Sequence, residues 1–193
     1  MMRRGLWIAV AVVAVIVLAG LLVVGSYITA QKQMVAKQEA IHAQWSNVNV
    51  VLERRADLIP NLVATVKGYA QHEEKVFADV DQAREALLAA HDPQSKIQAN
   101  GQLDGALGRL LAVAENYPNL KANENFLELQ DQLEGTENRI AVERHRYNDD
   151  VQDYNTFIRQ IPNNIWAHVG GFQPDNDYFQ ASPSAQQAPQ VKF

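Results

Sequence analysis

The sequence predicts an all-α protein: a single-pass transmembrane helix, then an up-and-down bundle of about four long helices, then a disordered C-terminal tail. Three observations predict it. Leu6 to Val24 is an unbroken apolar run. Beyond it, apolar residues recur at alternating steps of three and four for most of the chain. From Pro174 to Pro189 the composition turns to Ser, Pro, Gln and Ala. The expected units are an anchor over 1–28, a helical bundle over 29–173 and a flexible tail over 174–193.

The apolar run follows Met1-Met2-Arg3-Arg4. About 20 such residues, rising ~1.5 Å each, span the ~30 Å hydrocarbon core as one helix. The run is longer than the ~7–15 residues of a signal-peptide core, which favours a retained anchor over a cleaved leader. Arg3 and Arg4 lie beside the membrane, so the positive-inside bias keeps the N-terminus cytoplasmic. The expected location is the bacterial inner membrane, with the domain after Ser26 on the extracytoplasmic side.

Arg3 and Arg4 are the only charges of the anchor; without them the formal net charge of −5 becomes −7 for the rest. That balance disfavours nucleic acid as a partner, and an anionic lipid surface as well. The chain contains no cysteine. Disulfides, thiolate nucleophiles, cysteine-based zinc sites and a lipoprotein anchor are therefore excluded. An exported domain of this kind is stabilised by packing.

The first seam runs through Met34, Ile41, Trp45, Val48, Leu52, Ile59, Leu62, Val66, Tyr69, Val76, Val80, Ala83 and Leu87. Its spacing is of heptad type, with Arg55 and Glu73 at seam positions as snorkelling or paired groups. Pro60 interrupts it. Either it kinks a continuing helix, or Asp57 caps a new helix with Pro60 in the first turn. The phase is kept across Pro60, which favours a nearly contiguous pair of helices over 28–57 and 58–90.

Asp92-Pro93 is a stop and restart, with Asp92 as N-cap and Pro93 at the first helical position. The third helix runs to about Glu115 through Ile97, Leu103, Leu107, Leu110, Leu111 and Ala114. Gly101, Gly105 and Gly108 lie along it and read as close helix–helix contact. Asn116-Tyr117-Pro118-Asn119 is a turn. The fourth helix keeps heptad phase through Phe126, Leu129, Leu133, Ile140, Tyr147, Val151, Tyr154, Ile158 and Ile161, ending at Pro162, with Thr136 and Glu143 as polar seam positions. Ile165, Trp166, Val169 and Phe172 form a short apolar coda expected to fold over the bundle end.

Chemistry-bearing patterns are sparse. Glu39-Ala40-Ile41-His42 matches one Glu-x-x-His element of a di-metal bundle, but no second element exists. His72-Glu73 lacks the second histidine of a zincin helix, since position 76 is Val76. No Gly-x-Ser-x-Gly or Ser-x-x-Lys is present. The sequence predicts no enzyme, no cofactor and no metal site. It does set Asn61, Asn116, Asn123, Asn125, Asn138, Asn148 and Asn155 with Arg54, Arg55, Arg109, Arg139 and Arg159 among apolar seams. Such groups serve as caps and solvated surface, or as a buried polar network or partner-binding groove.

These residues carry a resemblance to the LemA family. One block is Ala43-Gln44-Trp45 with Arg54-Arg55-Ala56-Asp57-Leu58-Ile59-Pro60-Asn61-Leu62-Val63, then Val66-Lys67-Gly68-Tyr69-Ala70 and His72-Glu73. The next is Leu107-Gly108-Arg109-Leu110-Leu111-Ala112-Val113-Ala114-Glu115-Asn116-Tyr117-Pro118, then Leu120-Lys121-Ala122-Asn123. Thr136-Glu137-Asn138-Arg139-Ile140-Ala141, Tyr147-Asn148-Asp149, Tyr154-Asn155, Gly171-Phe172, Tyr178-Phe179 and Val191-Lys192-Phe193 complete it. His42, Asp150, Trp166 and His168 depart from the residue types usual there. The resemblance implies a membrane-anchored helical bundle with no catalytic or cofactor residues to carry over.

The functional expectation is a non-enzymatic extracytoplasmic scaffold that binds an envelope or membrane protein partner or self-assembles. The candidate partner-binding residues are Arg54, Arg55, Asn61, Arg109, Asn116, Asn138, Arg139, Val191 and Phe193. The alternative is a small-ligand or peptide-binding sensor using a polar groove between helices.

Overall fold

The computed structural model describes the backbone of residues 2–179 and the side chains of Trp7 and of 10–179. Among the described residues the secondary structure is helical throughout, with no strand. Six helices follow in order: α1 Met2–Lys67, α2 Glu74–Ala89, α3 Pro93–Ala114, α4 Pro118–Lys121, α5 Glu124–Arg159 and α6 Asn163–Gly170. They form two compact units. Among the described residues, one holds 2–41 and 150–176 and the other 42–149 and 177–179, so α1 and α5 contribute to both.

In the first unit, α1 contains a segment long and apolar enough to cross a membrane. Its Val, Ile and Leu side chains from Val10 to Val24 are exposed. A continuous bare apolar surface of this size is foreign to water-soluble monomers and matches a lipid environment. These features fit a single-pass membrane protein. Burial begins at Ala30 and Met34 and continues at Ile41; Val151, Tyr154 and Ile158 of α5 and Ala167 of α6 complete this core.

The second unit is a four-helix bundle built from 42–67 of α1, α2, α3 and 124–149 of α5. Its fully buried layer includes Val48, Leu52, Ile59, Leu62, Val66, Val80, Leu103, Leu110, Leu120 and Ile140. The predicted seams are thus the core, with local exceptions. Trp45, Val76, Ile97, Leu111, Leu129 and Leu133 are half-buried, and Tyr69 and Ile161 are exposed. Ile161 falls outside because α5 ends at Arg159.

The expected boundary at residue 57 is not there. α1 continues through Pro60 to Lys67, and the break falls at Gly68–Glu73. Proline has no N–H, so the carbonyl of Ala56 loses its partner four residues on. Arg84 of α2 supplies one: its Nε donates to the Ala56 carbonyl at 2.8 Å. The helix therefore tolerates Pro60 with its acceptor satisfied.

Helix ends follow the sequence signals more closely. Asp92 caps α3, its carboxylate accepting from the Ser95 amide at 2.9 Å, with Pro93 in the first turn. The Ser95 hydroxyl, and then this amide bond, hold the Asp92 carboxyl below its ordinary value. Asn123 caps α5, accepting from the Phe126 amide at 3.0 Å. The turn expected at 116–119 becomes the single helical turn α4, begun by Pro118. α6 ends in a Schellman motif: Gly171 sits at φ 75°, and the Phe172 amide donates to Ala167 at 2.9 Å.

Gly101, Gly105 and Gly108 do not mediate helix contacts. All three are exposed, and an added Cβ would meet nothing within 4 Å at Gly101 and Gly108. At Gly105 it would meet only the Arg109 side chain, at 3.8 Å. The first residues of the expected tail, 174–179, carry no regular secondary structure; 180–193 lie outside the described residues.

Candidate partner-binding surface

Arg55 sits within the helical seam of α1 and is only 7% exposed. Burying a guanidinium requires partners on the facing helices. Asn100 and Asp104 of α3 supply them, with Asn100 Oδ1 accepting from Arg55 Nη1 at 3.2 Å and Asp104 closing an ion pair. Glu137 of α5 lies 3.0 Å from the same nitrogen, close in charge although its Oε2 is not aligned as a hydrogen-bond acceptor. Asn100 Nδ2 in turn donates to Asp104 at 3.0 Å. The network ties three helices of the bundle through one cation.

Arg144 stands beside it. Burial lowers the pKa of its guanidinium; Glu137 and Asp104 oppose that shift and Arg55 adds to it. Its charge also lies 5.4 Å from the centre of the Phe179 ring. Phe179 completes an aromatic cluster, with Tyr147 edge-on at 5.5 Å and Trp45 stacked at 6.1 Å. Asn148 fixes the backbone at that point: its Nδ2 donates to the Phe179 carbonyl at 2.8 Å and its Oδ1 accepts from the Phe179 amide at 2.9 Å.

An equivalent clamp operates in the first unit, one heptad along α5. Asn155 Nδ2 donates to the Asp175 carbonyl at 2.6 Å, and its Oδ1 accepts from the Asp175 amide at 2.9 Å. Beside it the Tyr154 hydroxyl donates to the Gln173 carbonyl at 2.9 Å and accepts from Gln38 at 3.2 Å. Asn is suited to this task because one side-chain amide pairs with both groups of a peptide unit.

The predicted binding residues divide accordingly. Arg55 belongs to the interior network. Arg54, Asn61, Arg109, Asn116, Asn138 and Arg139 are exposed. Arg109 reaches Asp79 at 3.4 Å. Asn61 lines an open groove of about 400 Å³ with Thr65 of α1 and Asn125, Glu128, Leu129 and Gln132 of α5. Val191 and Phe193 lie outside the described residues. Sequence reasoning missed Asn100, Asp104, Glu137 and Arg144. The visible signal was Arg55 in an apolar seam, which demanded acidic partners at core-facing positions elsewhere. Glu39 and His42 are exposed, and no cluster of three or more His, Asp or Glu able to hold a metal occurs among the described residues.

On α1, Asn47, Val50, Arg54, Asp57 and Asn61 recur at steps of three and four and are all exposed. They share a helix face. Val50 is a large apolar side chain left open in the middle of this polar stripe.

Comparison with known proteins matches residues 44–193 to the model of the LemA family. Magnetosome protein MamQ 2 of Paramagnetospirillum magneticum is 28% identical, covering 78% of this chain. Magnetosome protein MamQ of Magnetospirillum gryphiswaldense is 26% identical over the same share. Protein LemA of Metamycoplasma hominis is 23% identical over 68% of this chain. The chain spans 64% of the length of the two MamQ proteins and 61% of that LemA protein.

Proposed function

The chain belongs to the LemA family, and we propose that it is a membrane-anchored, non-enzymatic scaffold whose bundle lies outside the cytoplasm and binds an envelope or membrane protein. The supporting observation is the exposed face of α1 formed by Asn47, Val50, Arg54, Asp57 and Asn61. The charge of Arg55 is paired inside the bundle through Nη1, with Asp104 and Glu137, so this outer stripe is not needed for that network. A helix face with an open apolar residue flanked by arginine and asparagine suits a protein partner: an apolar contact with a polar rim. Arg3 and Arg4 before the apolar run support the outward orientation of the bundle.

The test is photo-crosslinking in intact membranes from single probes at Val50, Arg54, Asn138 and Arg139, with products identified by mass spectrometry. One discrete protein adduct from Val50 and Arg54 supports the scaffold, and a doubled mass of this chain identifies self-assembly. Absence of any protein adduct at all four positions contradicts it. A fifth probe at Asn61 that yields only a small-molecule adduct supports the sensor reading in its place.

A further inference from the structure

Gln160 to Gln173 contains no Asp, Glu, Lys or Arg; His168 is its one titratable side chain. Charged residues make up 20% of the chain as a whole. Within this neutral stretch Ile161, Ile165 and Val169 are 83%, 54% and 64% exposed. Ile165 and Val169, four residues apart, lie on one face of α6.

The same unit fixes where α6 sits along α1. Trp166 packs edge-on against Tyr27, with ring centroids 5.6 Å apart. A Cβ added at Gly170 would lie 2.6 Å from Gln31 Nε2 and 2.9 Å from the Phe172 ring, so the end of α6 closely approaches Gln31. Tyr27 follows Val24, the last residue of the apolar run, by about 4.5 Å of helix rise. The level of Tyr27 to Gln31 is therefore the interfacial layer of a bilayer spanned by that run, where tyrosine and tryptophan concentrate.

We propose that α6 and the Ile161 turn before it settle into the membrane surface, with Ile161, Ile165 and Val169 entering the boundary between headgroups and acyl chains. The occupant of this apolar face is lipid: the face adjoins the bare membrane-spanning segment, and its lack of carboxylates removes repulsion from anionic headgroups in an otherwise acidic chain. The inference rests on α1 crossing the bilayer.

The natural absence of cysteine allows single-site labelling. Full-length Val17→Cys, Ile165→Cys, Val169→Cys and Glu134→Cys carry an environment-sensitive fluorophore in vesicles of equal parts phosphatidylcholine and phosphatidylglycerol. Labels at 165 and 169 should be quenched at least about twofold more by a headgroup-level nitroxide lipid than the label at 134, and shielded from iodide. The label at 17 should respond to a nitroxide deep in the acyl chains. Iodide access at 165 and 169 equal to that at 134, with 17 still in lipid, overturns the inference and leaves the anchor reading intact. Shielding of 165 and 169 from both quenchers means a protein covers the face, and also overturns it. Failure of the label at 17 to meet lipid removes both readings. Unchanged circular dichroism melts establish that each variant is folded.

Discussion

Arg84 donates to the backbone carbonyl of Ala56, the one acceptor that Pro60 leaves without a helical partner. A side chain of α2 thus completes the hydrogen bonding of α1 at its interrupted turn. Replacing Arg84 with Met should destabilise the protein by about 1–3 kcal/mol, the cost of an unpaired buried carbonyl. In a Pro60→Ala background the new amide satisfies Ala56, and the same replacement should cost about 1 kcal/mol less. Urea unfolding of the four proteins checks this; an identical loss in both backgrounds contradicts the coupling.

Arg55 and Arg54 are neighbours with opposite fates. Arg55→Ala strands Asp104 and Glu137 and removes a packed stem. Both carboxylates retain solvent access, so the expected loss is about 1–3 kcal/mol, below that of a fully buried pair. Arg54→Ala should stay within about 0.5 kcal/mol in unfolding, while reducing partner crosslinking. Equal stability losses at the two positions would contradict the division between network and surface.

The Asn148 clamp gives a local prediction. Asn148→Ala removes both hydrogen bonds to Phe179 and should destabilise by about 1–2 kcal/mol. Native-state hydrogen exchange at the Phe179 amide should accelerate more than exchange in α3. Unchanged protection of that amide would show that the aromatic contacts alone hold the segment.

Tyr154 predicts a pH dependence. Burial, then the Asp175 carboxylate, raises its phenol above the ordinary 10.0, while the bond from Gln38 opposes the shift. The folded form therefore holds the proton more tightly than the unfolded form. Its contribution is intact below about pH 10 and is lost as pH rises through the folded value. Melting temperature should fall more steeply above pH 10 in the parent than in Tyr154→Phe. Parallel slopes would contradict this.

Much of this was readable in the chain because heptad spacing reports burial directly. Met34, Leu52, Ile59, Leu62, Ile140, Tyr147 and Tyr154 are core for that reason. Asp92-Pro93 announced the start of α3 through local capping alone. The long-range pairings were not readable. Pro60 looked like a boundary because Arg84, 24 positions after it, is invisible to any local rule. Arg55 was recognised as an anomalous seam residue, whereas Asp104 and Glu137 have the surface-like context of ordinary carboxylates. Leu129 kept the phase of its seam yet is only half-buried beside the Asn61 groove, since a phase specifies a face and not the neighbour that covers it.

In the proposed topology α1 holds the bundle outside the cytoplasm. Arg139→Cys in this cysteine-free chain places one thiol on an exposed site of α5. A membrane-impermeant maleimide added to intact bacterial spheroplasts measures its side of the membrane. The proposed topology predicts full labelling before lysis, with no gain after detergent. Labelling that appears only after detergent would contradict it.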